Sequence, residues 1–71
     1  MWKIKIVPAT NEHSPITATG MDCMGMALRY AISMLEGGEP SVTLRMQGKP
    51  DAVLDLNSPI VRKLRRNVVI R

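Results

Sequence analysis

Arg62, Lys63, Arg65 and Arg66 form the cluster whose residue types and spacing say most about chemistry in this chain. On a helix Arg62, Arg65 and Arg66 fall three and four residues apart and share one face, with Lys63 to one side. Such a row fits the phosphates of a nucleic acid or the carboxylates of an acidic protein, each contact adding affinity that salt weakens. A solvated helix face looks the same. No aromatic residue is interleaved with the row, which argues against stacking on single-stranded bases. Lys3, Lys5 and Arg45 extend the patch if the outer faces of their strands are neighbours.

Thr17, Thr19 and Gly20 precede an apolar helical stretch. The start of a helix favours an anion, because unpaired N–H groups and the helix dipole both point there. The second glycine and the lysine of a nucleotide-binding Walker loop are missing. Asp22 in the first turn also competes with an incoming anion, so simple capping by Thr19 is the plainer reading. Cys23 in that first turn, with His13 as base, has the residue types of a thiol nucleophile pair. Against it, Cys23 lies among methionines as a small buried apolar residue would, and no two carboxylates are spaced as an acid–base pair. The sequence therefore points to no catalytic residues, no cofactor and no metal. One cysteine and one histidine are too few for a zinc site of the usual kind.

The stretch from Thr19 to Glu36 organises the rest. Its polar positions Asp22, Gly25, Arg29, Ser33 and Glu36 make one narrow stripe at helical spacing, and nearly everything else is apolar. A surface helix normally shows an apolar arc of roughly 100° to one neighbour. This one wants cover on two or three sides. Met24, Met26, Leu28 and Met34 are the residues expected to form a surface for a second copy or a partner protein, methionine being flexible enough to fit irregular contacts. The alternatives are that they pack in the core and that the C-terminal segment folds back over them.

Around that helix, Trp2, Ile4 and Ile6 alternate with Lys3 and Lys5 as in a half-buried strand. Residues 8–20 read as a long loop, with two prolines and many small polar residues. Gly37, Gly38 and Pro40 close the helix. Ser41–Gln47 and Ala52–Leu56 alternate as two strands of a hairpin about the turn at 48–51. Ser58 and Pro59 start a short basic helix, and Val68–Ile70 is a possible last strand. The expected architecture is one α+β domain over residues 1–71: a small three- or four-stranded, mostly antiparallel sheet packed on one long helix, in the order β-α-β-β with a short basic C-terminal helix.

The net charge of +4 is uneven. Residues 1–61 hold five Lys or Arg against six acids, whereas residues 62–71 hold five basic residues and no acid. A local cluster of that kind steers an anionic partner while the body stays near neutral. No apolar run is long enough to span a bilayer, and a lone cysteine fits a reducing, cytoplasmic setting. These features together lead to the expectation of a small non-enzymatic binding protein, a homo-oligomer with a dimer as first choice. It would occupy a protein partner as an inhibitor or accessory subunit. The alternatives are a nucleic-acid-binding module and an oligomer that sequesters a small anion such as a nucleotide.

Overall fold

The computed structural model describes the backbone of residues 3–69 and the side chains of residues 3–65. Six elements follow one another: β1 (Lys3–Pro8), β2 (Ile16–Thr19), α1 (Cys23–Glu36), β3 (Val42–Met46), β4 (Ala52–Leu54) and α2 (Pro59–Val69). The strands form one sheet in the order β2-β1-β3-β4 with every pair antiparallel. The expected α+β architecture is what the chain adopts, with four strands and a second helix beside α1.

Alternation decides which face of the sheet is covered. Ile4 and Ile6 of β1, Ala18 of β2, Val42 and Leu44 of β3 and Leu54 of β4 are all buried and lie on the helical side. Lys3, Lys5, Thr17, Thr19 and Arg45 occupy the alternate positions and are exposed. On α1 the buried positions are Cys23, Ala27, Ala31, Met34 and Leu35, a stripe at steps of three and four. The two alanines at its centre let the helix backbone approach the sheet closely. Val61 of α2 is fully buried in the same core, so α2 shares the helical side and covers part of the apolar arc of α1. Each large side chain hidden in this way stabilises the fold by about 1.5–3 kcal/mol.

Four local expectations need correction. The segment expected to be loop from 8 to 20 contains β2, whose Ile16 and Ala18 turn inward. Because Thr19 belongs to that strand, the helix cap expected of it does not form. α1 starts on Asp22, whose side chain makes no capping hydrogen bond. The strand expected over Ala52–Leu56 stops at Leu54, where Asp55 bends the chain: its carboxylate accepts from Asn57 N–H at 2.8 Å and its carbonyl from Ser58 N–H at 3.1 Å. At the other end, Val68 and Val69 continue α2 instead of forming a strand. The helical spacing of Val61, Leu64 and Val68 outweighs the β-branched preference of the last residues. Ser58 begins α2 as expected, its carbonyl accepting from Arg62 N–H at 3.0 Å. Trp2, expected to open the first strand, and Ile70 lie outside the described residues.

Candidate functional site

The outer surface of the helical layer is unusually apolar. Met24 is 43%, Met26 38% and Tyr30 38% exposed, and Leu56 and Ile60 stand out at the entry to α2. Successive helical residues turn by about 100°, so side chains two apart point nearly opposite ways. Met26 and Tyr30 therefore share one flank, away from Leu28 and Ile32, which pack against the core. Of the four residues expected on a partner surface, Met24 and Met26 are exposed, but on different sides of α1. Leu28 is half-buried, and Met34, 4% exposed, is part of the core. The expected methionine surface is thus split, and its larger flank is Met26 with Tyr30.

The basic residues also divide. On α2, Arg62 and Lys63 are exposed, while Arg65 places its Nε 3.1 Å from Glu36 Oε2. Both partners of that pair are partly exposed, so it contributes at most about 1 kcal/mol. The side chain of Arg66 lies outside the described residues. A second group occupies the open face of the sheet: Lys5 stands directly between Thr17 on β2 and Arg45 on β3, and Lys3 stands opposite Thr19. Asp51 Oδ2 lies 3.7 Å from Arg45 Nε. Since α2 is on the helical side, the two basic groups lie on opposite sides of the sheet and do not make one patch. Thr17 and Thr19, expected to hold an anion at the start of α1, belong to this open face. Gly20 follows them in the turn that leads to α1.

Sequence reasoning missed the best-connected polar site. Glu39 is buried, and its carboxylate accepts hydrogen bonds from Thr10 N–H at 2.9 Å and Thr10 Oγ1 at 2.7 Å. His13 Nδ1 lies 2.6 Å from it. The helix C-terminus delivers Glu39 there. Gly38 takes a positive φ of 109°, Gly38 N–H donates to Leu35 O, and Glu39 N–H donates to Met34 O, a Schellman closure that turns the chain inward. The hydrogen bond from the Thr10 hydroxyl holds the Glu39 carboxyl below the usual carboxylate range. Burial acts in the other direction, while His13 and the Thr10 N–H reinforce the lowering. The signal was the Gly-Gly-Glu sequence after the helix, read as a stop and not as a device that aims the next side chain.

This placement separates His13 from Cys23. The imidazole packs on Gly37, just past the last turn of α1, while Cys23 is in the first turn, about 20 Å away at 1.5 Å per residue. The two do not form a nucleophile and base. Among the described residues no three His, Cys, Asp or Glu side chains converge as metal ligands, and no helix is long and apolar enough to cross a membrane.

The class defined by these features is a small α+β domain with a four-stranded antiparallel sheet, helices on one face and the other face open. No protein-family model matches the chain, and no curated protein sequence or solved structure does so at a significant level.

Proposed function

We propose that this is a small non-enzymatic cytoplasmic binding protein that self-associates, with a dimer as first choice, and acts by occupying a macromolecular partner as an inhibitor or accessory subunit. The observation that carries this reading is the half-exposed Met26–Tyr30 flank of α1. Large apolar side chains grouped at the surface of so small a domain favour association. Tyrosine and methionine suit an interface because each offers much contact area with an adaptable or amphipathic end. Arg62 and Lys63 would steer the assembly to an acidic target.

Light scattering on the purified chain and on Met26→Lys/Tyr30→Lys tests it. The wild type is expected to show twice the monomer mass at micromolar concentration, and the double variant, both of whose sites are partly solvated, the monomer mass with the fold retained. A wild type that stays monomeric at millimolar concentration contradicts self-association.

A second reading rests on the open sheet face. Like charges placed directly opposite on neighbouring strands, as Lys5 and Arg45 are, cost stability. A phosphate backbone lying across Lys3, Lys5 and Arg45 would relieve that cost. Salt-sensitive retention on duplex DNA that is lost in Lys5→Gln/Arg45→Gln and kept in Arg62→Gln/Lys63→Gln supports nucleic-acid binding by the sheet. The opposite pattern places it on α2.

A further inference from the structure

Where the start of α1 meets the ends of β1 and β3, a half-open groove of about 430 Å³ is lined by Cys23, Met21, Met24, Met46, Lys3 and Lys49, among others. We propose that this groove binds a small amphipathic carboxylate, its aliphatic chain lying along Cys23, Met24 and Met46 and its head between Lys3 and Lys49. This site is separate from the Met26–Tyr30 flank, since Met24 points about 200° round the helix from Met26.

The walls dictate that ligand class. The volume falls within the range of small-molecule sites, which are mostly apolar with a few placed polar groups. Cys23 is 5% exposed, and its thiol has no hydrogen-bond partner among the described residues. The methionine side chains are flexible and conform to an alkyl chain without imposing a shape. Among the described residues no aromatic lines the groove, and these residues offer a nucleobase no stacking platform. At the rim, neither Lys3 nor Lys49 has an ion-pair partner among the described residues.

The adjoining helix start adds to the attraction for a carboxylate. α1 has no acid in its first turn, and its N-cap Asp22 makes no side-chain cap hydrogen bond, which leaves the first N–H groups without a side-chain partner. Asp22 itself turns toward Gly25 and does not line the groove. Four sulfur-bearing side chains in one place also have the softness that a monovalent copper ion prefers. The two lysines among the lining residues oppose a cation and favour an anion.

Octanoate is the probe. Cys23 is the chain's one thiol, so its alkylation by iodoacetamide reports on the groove, and the carboxyl signal of 13C-labelled octanoate reports on the head group. Octanoate at millimolar concentration is expected to slow alkylation several-fold and to shift its own carboxyl resonance. Octanol and acetate, which each lack one half of the ligand, should do much less. Lys3→Gln/Lys49→Gln, at two exposed positions that leave the fold intact, should weaken octanoate binding about tenfold, equivalent to 1.4 kcal/mol. The proposal is overturned by absence of protection at about 10 mM octanoate, by equal protection from octanol, or by undiminished binding to the lysine variant. Equal protection by adenosine monophosphate overturns the ligand class.

Discussion

At its C-terminal end α1 is closed by two glycines and tied down through a buried carboxylate. At its N-terminal end it begins on a residue whose side chain caps nothing, beside an open groove. The polar groups at the two ends show what each end is for. At the closed end the N–H groups of Gly37, Gly38 and Glu39 satisfy helix carbonyls, and Glu39 reaches 29 residues back along the chain to Thr10. That bond fixes the β1–β2 connection against the helix. At the other end the N–H groups that a side chain normally satisfies are left for water or a ligand. A helix fixed at one end and open at the other is a scaffold with a site, and the difference can be broken or sharpened by substitution.

The largest effect is expected from truncating α1 at each end. Leu35→Ala, at a fully buried position near the closed end, should cost about 2–5 kcal/mol in urea unfolding. Met24→Ala, at the rim of the groove, should cost less than about 1 kcal/mol because much of its surface is already in water. Similar costs at the two sites would erase the contrast.

Next comes the acid limb of stability. The carboxyl of Glu39 is held below its ordinary range in the folded protein, first by the Thr10 hydroxyl. The folded state therefore binds the proton less readily than the unfolded chain. Its contribution is fully present above the ordinary carboxylate range, and it is lost as pH falls through that range to the lowered folded value. Melting temperature should fall on going from about pH 6 to about pH 3. Glu39→Gln should melt lower at neutral pH than the wild type and show a shallower acid limb. An unchanged slope in that variant would remove Glu39 from the clamp.

The smallest effects carry the cleanest comparison, because the same substitution should change sign between the ends. A Cβ at Gly37 would stand 3.0 Å from His13 Nε2, and the ring cannot yield easily while its other nitrogen is held by Glu39. Gly37→Ala is expected to destabilise by about 1 kcal/mol, and the cost should vanish in a His13→Ala background. A Cβ at Gly25 meets only the end of the exposed Asp22 side chain, at 2.7 Å, which can swing away. Gly25→Ala is expected to stabilise by up to about 1 kcal/mol through helix propensity alone. Equal signs in denaturant titrations would show that the two ends are held alike.

Strong periodicity made most of this fold legible. The alternation of Ile4 and Ile6 with two lysines, the stripe on α1, the hairpin of β3 and β4, and Ser58–Pro59 at the start of α2 are all local patterns, and they locate five of the six elements. β2 was hidden because four residues, Ile-Thr-Ala-Thr, alternate only weakly inside a stretch rich in turn-forming types. Its pairing with β1 is what makes it a strand. The end of α2 was ambiguous because β-branched residues there fit both a strand and a helical stripe. The basic residues were seen, but their division between opposite sides of the sheet depends on strand order, which no local pattern encodes. Glu39 was passed over because a carboxylate after a helix is usually solvated, and its burial follows from a contact 29 residues away.

Amide hydrogen exchange along α1 in the intact chain tests the asymmetry most directly. The amides of Met34 and Leu35, next to the Schellman closure, should be protected at least about tenfold more than those of Met26 and Ala27, with octanoate raising protection only at the latter. Uniform protection along the helix, or faster exchange at its C-terminal turn, would contradict a helix held at one end and open at the other.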